Sequence, residues 1–562
     1  MTAKHSLAGA ASRPLTDWHA IQWRAAHQNV RRLQARIVKA TREGRHGKVR
    51  ALQWLLTHSF SGKAIAVKRV TENQGKRTPG VDGQCWSTPA TKAKALQQLH
   101  RRGYRAQPLR RVYIPKSNGQ RRPLGIPTMK DRAQQALYLL ALDPVAETTG
   151  DLNSYGFRTG RSTADALRQS FELLRRPTSG AWIWEGDIRS CFEQISHTWL
   201  LDHIPMDKAM LRQWLKAGFL ENGVWAPTEA GTPQGGIISP TLMNLTLDGL
   251  EERIKALCPA RLRAKGTKLA LVRYADDMII ISSSKELLEE KVVPVVTSFL
   301  SERGLALAPE KTKLTHIEDG FDFLGQTHRK FQGKLLIKPA RKSVSNLLDK
   351  VRAVIKANPQ DTPADLIRQL NPIIRGWANY HRHAVSKRIF TYVDYAINTA
   401  LWHWACRRHP RKRKDWIRRK YFQLADQYGF FGRTTGKKGQ TIIVRLFVAH
   451  LVPIRRHVKI RGEANPYDPA QAAYFEQRLG EKWLQEQNRL KLRTLWWQQG
   501  GACLVCAQPI TSTSGWNIHH LVPRVKGGED KLSNLVLLHP NCHRQVHCRK
   551  WKVVKPGLAR GH

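Results

Sequence analysis

Long apolar stretches are missing from this sequence of 562 residues. No run approaches the roughly 18 consecutive apolar residues that a membrane-spanning helix needs, and the first residues lack the apolar core of a signal peptide. Acidic residues are also scarce, since 43 Asp and Glu stand against 94 Lys and Arg and leave a formal charge of +51. These features disfavour a membrane protein and predict a cytoplasmic protein with a polyanionic partner.

Cysteine is sparse, and its distribution excludes a disulfide framework. Four of the eight cysteines are scattered along the chain, whereas the other four lie in the last sixty residues. There, Cys503 and Cys506 form one pair with zinc-ligand spacing, and His539 and Cys542 form a second. Two such pairs in a short module predict a structural tetrahedral zinc site. A redox-active pair is the alternative interpretation.

Internal repeats and low-complexity tracts are absent, so a chain of this length predicts several folded domains. Residues 17–70 carry apolar positions at helical spacing among basic residues, which predicts two basic helices. Residues 403–421 combine Lys and Arg with Trp and Tyr, which indicates a surface that binds phosphates and stacks bases. A solvated basic face is the alternative for this stretch.

Three aspartates lie at the ends of predicted strands. Asp187 ends an apolar run, and Asp276 and Asp277 lie at the bend of a predicted hairpin. Clustered carboxylates repel one another unless a cation lies between them, and oxygen ligands favour Mg²⁺. The pattern therefore indicates a Mg²⁺ site. A solvated Asp-Asp turn is the alternative.

The motifs along residues 75–330 resemble those of the reverse transcriptases. The resemblance rests on these blocks, in the family's order: Gly125–Arg132, Asp187 with Phe192, Thr232–Pro240, Tyr274–Asp277 and Phe321–Gly325. It implies a right-hand polymerase with fingers and palm, which copies RNA into DNA from dNTPs with two Mg²⁺ ions.

The same resemblance implies roles for individual residues. Asp187 and Asp276 would be the principal Mg²⁺ ligands, with Asp277 as the third carboxylate. On composition alone, the alternative interpretation of Phe192 is an aromatic residue of the core. Six further side chains would contact the nucleotide or primer: Lys116 and Arg122 at the triphosphate, Phe192 under the sugar to exclude a 2′ hydroxyl, Gln234 at the nucleotide or template, Lys311 near the phosphates as a proton donor, and Tyr274 at the primer terminus.

Among reverse transcriptases, the sequence is most similar to the group II intron-encoded proteins. The similarity rests on the basic N-terminal extension, on Arg110–Lys116 with Arg121–Pro127, and on Gly376–His381 in the thumb or maturase region. It implies a multidomain α+β protein, located in the bacterial cytosol or on the nucleoid. Such a protein would bind its own intron RNA, promote splicing, and reverse transcribe that RNA at a DNA target.

This resemblance also implies the domain order. The predicted domains are a basic helical extension (1–74), fingers and palm (75–335), a helical thumb or maturase domain (336–450), a basic DNA-binding segment (451–494), and an endonuclease module with the zinc site (495–562).

The C-terminal module resembles the HNH endonucleases, in which two strands and a helix surround one catalytic metal ion. The resemblance rests on His519-His520, Asn534 and His543. It implies that His520 is the general base, that His519 and His543 hold Mg²⁺ or Mn²⁺, and that Asn534 orients His520. His547 is a further candidate at this site.

Two other functions are compatible with parts of the sequence. One is a non-catalytic RNA-binding splicing cofactor whose polymerase site is a relic, and the intact Asp187, Asp276, Asp277, Gln234 and Phe192 argue against it. The other is a reverse transcriptase of a retron or defence system. The HNH-like module and the Gly376–His381 block disfavour that assignment.

Overall fold

A computed structural model describes residues 17–115, 119, 121–264, 266–424, 427–436, 439–486, 490–512 and 514–555. The fold is a mixture of helices and strands, which agrees with the predicted α+β class. Within these ranges, no helix is both long enough and apolar enough to cross a membrane.

The N-terminal region is helical, but the prediction of two helices for residues 17–70 is wrong. Its helices are α1 (Trp23–Arg42), α2 (His46–His58), α3 (Phe60–Glu72) and, further on, α4 (Pro89–Gln98). Gly44 lies between α1 and α2, and its φ of 66° interrupts the helical conformation there. Ser59 then caps α3 by accepting a hydrogen bond from the Gly62 amide at 3.0 Å, which separates α3 from α2.

The central region contains two four-stranded sheets. Its elements are β1 (Leu109–Pro115), β2 (Arg121–Ile126), α5 (Met129–Thr149), α6 (Thr163–Leu174), β3 (Trp182–Gly186), α7 (Cys191–Gln194), α8 (His197–His203), α9 (Lys208–Leu215), β4 (Phe219–Glu221), β5 (Val224–Ala226), α10 (Ser239–Leu247), α11 (Leu250–Ala256), α12 (Ala260–Ala264), β6 (Leu269–Tyr274), β7 (Asp277–Ser282), α13 (Val293–Ser301) and β8 (Lys313–His316). One sheet has the strand order β2-β1-β4-β5, and the other has the order β6-β7-β3-β8. Buried apolar side chains of β3, β6 and β7 pack against the surrounding helices and form the largest core.

The following region has a small sheet and then a helical body. Its elements are β9 (Phe321–Phe323), β10 (Gln326–Phe331), β11 (Lys334–Pro339), α14 (Arg341–Ala357), α15 (Pro363–His381), α16 (Lys387–Arg408), α17 (Lys414–Tyr421), β12 (Gln423–Leu424), β13 (Gln427–Tyr428), β14 (Phe431–Thr435) and β15 (Thr441–Arg445). Leucine, isoleucine and aromatic side chains of α14 to α17 share one core with the hairpin β14–β15.

The C-terminal part begins with an extended segment that packs on the central region. Asp165, in the first turn of α6, receives hydrogen bonds from the His457 ring at 3.0 Å and from the Ile460 amide at 2.7 Å, and it pairs with Arg478. Lys459 pairs with Glu172 at 3.0 Å. Part of the segment predicted to bind DNA is therefore anchored on the central region.

The chain ends in a small module that is built from α18 (Ala472–Glu486), α19 (Leu490–Gln498), β16 (Asn517–His520), β17 (Leu535–Leu538) and α20 (Pro540–Arg549). Helix α20 packs on the N-terminal segment, where the Trp18 ring donates to the Asn541 amide oxygen at 3.0 Å. The Gln545 amide donates to the carbonyls of His19 and Ile21 at 3.1 and 3.0 Å. The two ends of the described chain thus share one buried interface.

Candidate functional sites

Antiparallel pairing brings the three predicted aspartates to one edge of the sheet. Asp187 directly follows β3, Asp276 lies in the turn between β6 and β7, and Asp277 is the first residue of β7. Gly186 pairs with Met278 across β3 and β7, which places Asp187 beside that turn. Ala275 in the turn has a φ of 59°, a conformation that L side chains rarely adopt.

A buried arginine that is not among the predicted site residues supports this turn. Arg273 on β6 is fully buried, and its guanidinium pairs with Asp248. The same guanidinium donates to the Asn244 side chain at 3.3 Å, and Asn244 donates to the Gly156 carbonyl at 2.8 Å. Gly156 packs so closely on Ala275 that a Cβ atom would lie 2.3 Å from the Ala275 amide nitrogen. An arginine within an otherwise apolar strand is the signal that points to this role.

The electrostatics of the aspartates fit a cation site. Desolvation in the cleft raises the pKa of Asp277 to about 6, and the charges of Asp276 and Asp187 add to this effect. Desolvation, together with the charge of Asp187, also raises the pKa of Asp276. Lys311 donates a hydrogen bond to the Asp187 carboxylate at 2.5 Å, and this bond raises the pKa of Lys311. The carboxylates carry mutual repulsion that a divalent cation relieves.

Several of the predicted nucleotide-contacting residues surround this cleft. Phe192 is partly buried, and its ring lies edge-on to Phe157 at 6.4 Å between centroids. Gln234 donates to the Glu193 carboxylate at 3.4 Å, and its carbonyl accepts the Gly125 amide at 2.7 Å. Tyr274 is half-buried and pairs with Asp277 at the hairpin turn.

The hairpin β1–β2 carries the two residues predicted to bind the triphosphate. Arg122 is exposed on β2, and its charge acts on Asp276 and partly offsets the rise in the pKa of that carboxyl. Lys116 lies outside the described residues. On another side of the cleft, the Tyr380 hydroxyl of the Gly376–His381 block donates to the Leu324 carbonyl at 2.8 Å. This contact joins that block to the turn at Phe321–Gly325.

The predicted zinc ligands converge. Cys503, Cys506 and Cys542 are fully buried, His539 is nearly so, and their four ligand atoms all lie within 4.8 Å of one another. Cys506 Sγ is 3.2 Å from His539 Nδ1, and the other ring nitrogen of His539 is 3.2 Å from the Pro509 carbonyl. That carbonyl fixes the ring so that Nδ1 faces the thiols, an arrangement typical of zinc-bound histidine. Cys548 is exposed on α20 and is not part of the cluster.

A second cluster contains three histidines. These are His519 on β16 and, on α20, His543 and His547. One ring nitrogen of each residue lies within 4.8 Å of the corresponding nitrogens of the other two. The Nε2 atoms of His543 and His547 are 3.2 Å apart, and His519 Nδ1 is buried with no hydrogen-bond partner among the described residues. Desolvation lowers the pKa of His519 to about 4, which keeps the ring neutral. The ring nitrogens of His519, His543 and His547 are close enough together to bind one divalent metal ion.

His520 lies beside this cluster, next to His519 on β16. Its Nε2 atom is 2.7 Å from Asp530, and Arg524 holds the same carboxylate through two contacts at 2.7 and 2.6 Å. Asn534, expected to orient His520, is bonded elsewhere: its amide oxygen accepts from the Val522 amide at 2.7 Å, and its nitrogen donates to the carbonyls of Val522 and Glu529. Asp530, which the sequence analysis does not single out, is thus the ring's partner, and Asn534 braces the loop after β16.

Comparison with known families divides the chain into matching stretches. The family models that match are the N-terminal domain of reverse transcriptase (18–99), reverse transcriptase or RNA-dependent DNA polymerase (114–328), the group II intron maturase-specific domain (344–422) and HNH endonuclease (503–549).

Curated relatives match across these stretches. Protein YkfC of Escherichia coli (strain K12) is 33% identical over 305 residues, which cover 47% of this chain and 78% of that protein. The group II intron-encoded protein LtrA of Lactococcus lactis subsp. cremoris is 27% identical over 592 aligned positions, covering 86% of this chain and 93% of LtrA.

These matches and the geometry together define a reverse transcriptase with maturase and HNH endonuclease domains. The chain belongs to the family of group II intron-encoded proteins.

Proposed function

We propose that this protein binds its own intron RNA, promotes its splicing, nicks a DNA target, and copies the RNA into DNA from the nick. The observation that carries the polymerase part is the meeting of Asp187, Asp276 and Asp277 at one end of the sheet, where the charge of Arg122 also acts on Asp276. We assign the domains as 1–74, 75–335, 336–450, 451–494 and 495–562, with the roles predicted from the sequence.

In the proposed polymerisation reaction, Asp187, Asp276 and Asp277 hold the metal ions. Mg²⁺ held by these carboxylates would supply the activation of the primer 3′ hydroxyl and the stabilisation of the pyrophosphate leaving oxygen. Lys311 is largely exposed, so it can exchange Asp187 for a phosphate oxygen when nucleotide binds. Arg122 and Lys116 bind the triphosphate, Phe192 packs under the sugar, Gln234 contacts the nucleotide or template, and Tyr274 lies at the primer end.

Primer extension tests the polymerase assignment. Asp276→Asn/Asp277→Asn keeps the shape of both side chains and should lower dNTP incorporation on an RNA template by at least about 1,000-fold, because the metal site loses two charges. Glu289→Gln/Glu290→Gln removes an adjacent pair of exposed charges and serves as the matched control. Equal extension by both variants would contradict the assignment.

A splicing assay on the flanking intron separates the maturase role from polymerisation. We expect the Asp276→Asn/Asp277→Asn protein to promote splicing as well as the unmodified chain does. If the unmodified chain promotes splicing but never extends a primer, the acidic centre is a relic and the cofactor alternative holds.

The proposed nuclease site uses His519, His543 and His547 as metal ligands and His520 as the base. A bound Mg²⁺ or Mn²⁺ ion stabilises the charge that develops on the scissile phosphate. Asp530 accepts a hydrogen bond from one nitrogen of His520, which leaves the other nitrogen free to take a proton from water. The buried, unpartnered His519 Nδ1 atom is the observation that favours a metal here.

Nicking of a supercoiled plasmid that carries the intron's flanking DNA tests this site. His543→Ala should reduce nicking by on the order of 100-fold or more while zinc content stays constant. Cys548→Ser, on the same helix and outside both clusters, is the control. Undiminished nicking by the His543 variant would exclude the histidine cluster as the nuclease centre.

A further inference from the structure

The helical region 344–455 contains a cavity that none of the assigned sites uses. It has a volume of about 760 Å³ and lies between α15, the hairpin β14–β15 and the segment that runs to Arg455. This volume falls within the range of roughly 300–1,000 Å³ that is typical of small-molecule sites. We call it the arginine pocket.

Four arginines line the arginine pocket: Arg375, Arg382, Arg445 and Arg455. No acidic residue of the described chain lines it. Four arginines and, among the described residues, no lining carboxylate give the pocket a positive charge, which favours an anionic occupant. Arginine is also the side chain whose planar fork fits phosphate oxygens.

Four aromatic residues also line the pocket. Phe430 and Phe431 are buried at its base, and Phe447 carries the Arg375 guanidinium over its ring at 5.0 Å. The Tyr428 side chain lies on the rim with 69% of its surface exposed. An exposed aromatic ring beside arginines offers a planar base a face to stack on.

Hydrogen bonds hold the wall in place without a ligand. The Asn371 side chain donates to the Arg445 carbonyl at 3.0 Å and accepts from the Phe447 amide at 2.7 Å. The Arg455 amide donates to the Arg382 carbonyl at 3.0 Å. Because α15 is joined to the end of β15, and the residue after α15 is joined to Arg455, the pocket is already ordered and binding carries little ordering cost.

We propose that the arginine pocket binds one unpaired nucleotide of a single-stranded RNA segment. The base stacks on Tyr428 and reaches toward Phe447, and the arginines bind the phosphates that flank it. Structured RNA presents such unstacked loop nucleotides, whereas a DNA duplex does not. The inference rests on the proposed RNA-binding function, and it adds a discrete nucleotide site to a protein whose charge alone would bind RNA without discrimination.

Photocrosslinking locates the site in the full chain. A short single-stranded RNA that contains 5-iodouridine is bound, irradiated and digested, and the crosslinked peptide is identified by mass spectrometry. We expect a crosslink at Tyr428 or Phe447. Crosslinks confined to other aromatic residues would overturn the proposal, although RNA binding itself would persist.

Measurements of RNA affinity at several salt concentrations test the aromatic ring and the arginines of the pocket separately. Tyr428→Ala should weaken binding of the same RNA by about 5- to 100-fold, and Tyr428→Phe should restore it, because stacking needs the ring and not the hydroxyl. Arg375→Gln/Arg445→Gln should reduce the slope of log affinity against log salt by about 1.4, which corresponds to two phosphates of a single strand. Lys350→Gln/Arg388→Gln removes two exposed charges of the same region outside the pocket and should leave the slope nearer that of the unmodified chain.

The outcomes distinguish this proposal from the proposed function. If the unmodified chain fails to bind the RNA, the proposed RNA-binding function fails. If it binds but the pocket variants match the control pair, only the nucleotide pocket is excluded. If a single-stranded DNA of the same sequence crosslinks at Tyr428 with equal affinity, the assignment to RNA is overturned.

Discussion

The predicted metal ligands of the polymerase centre and of the nuclease module are supported by hydrophobic cores of very different size. The aspartates lie at the edge of a sheet whose strands are buried on a large core of their own. The nuclease module has two short strands and three helices, and its apolar side chains share one cluster with the N-terminal region. A large core can hold repelling charges in place, whereas a small module needs a metal and a neighbour.

Removal of the predicted zinc ligands should have the largest effect on the nuclease module. Cys503→Ser/Cys542→Ser leaves two ligands of a buried four-ligand site, and structural zinc contributes on the order of 10 kcal/mol in small zinc domains. We expect the module to unfold, nicking to be lost, and primer extension to persist. Zinc content and limited proteolysis of residues 503–549 report the unfolding.

Cys548→Ser is the control for that experiment, because this thiol is exposed and lies outside the cluster. A module that stays protease-resistant without zinc would show that the N-terminal contacts alone hold it. Formation of a disulfide between Cys503 and Cys506 in the metal-free chain would instead revive the redox interpretation.

The anchor of the C-terminal segment on the central region should give the next largest effect. Burial alone would raise the pKa of Asp165, but the hydrogen bond from His457 and the charge of Arg478 outweigh it and hold the pKa at about 2. A lowered pKa means that the ionised carboxylate stabilises the fold above pH 4, and that this contribution is lost as the pH falls from about 4 to 2. Asp165→Asn should therefore cost about 2 kcal/mol at pH 7.

Denaturant unfolding at several pH values measures this cost. The stability difference between the unmodified chain and Asp165→Asn should shrink as the pH falls from about 4 to 2 and be smallest below pH 2, where both side chains are neutral. Asp319→Asn, at an exposed position, is the control. A difference that stays constant down to pH 2 would mean that packing, and not charge, anchors residues 457–478.

Sequence reasoning located the residues that carry the chemistry better than the contacts that support them. Strand ends, Cys-x-x-Cys spacing and paired histidines are local patterns, and the structure brings together Asp187 with Asp276 and the four predicted zinc ligands. Asp165 and His457 are 292 residues apart, so no local periodicity relates them. The roles of Asp530 and Arg273 also depend on tertiary contacts. An exposed loop carboxylate looks ordinary in isolation, and an arginine in an apolar strand signals a buried partner without identifying it as Asp248.

The contact between the two ends of the chain tests whether the nuclease module depends on its neighbour. Trp18→Phe removes the ring donor and leaves the buried Asn541 oxygen without this partner, which should cost about 1–2 kcal/mol. Asn541→Leu should cost a similar amount, but Trp18→Phe/Asn541→Leu should cost less than the sum, because neither group is then left unpaired. Thermal unfolding of the four proteins completes the cycle, and additive losses would show that this hydrogen bond does not couple the two ends.

The smallest predicted effect is a gain in folding stability, and it concerns the aspartates of the polymerase centre. The pKa of Asp277 is raised above its ordinary value, so the charged carboxylate destabilises the metal-free fold at neutral pH. Asp276→Asn/Asp277→Asn should therefore stabilise the protein in EDTA by about 1 kcal/mol once solvent screening is allowed for, although it abolishes extension. The gain should be greatest above pH 6 and fall as the pH drops below 4, because below the ordinary pKa of an aspartate the side chains are protonated in both the folded and the unfolded state. A loss of stability in EDTA would mean that these carboxylates hold the turn together, and the polymerase site would then depend on its ligands for its fold as the nuclease module does.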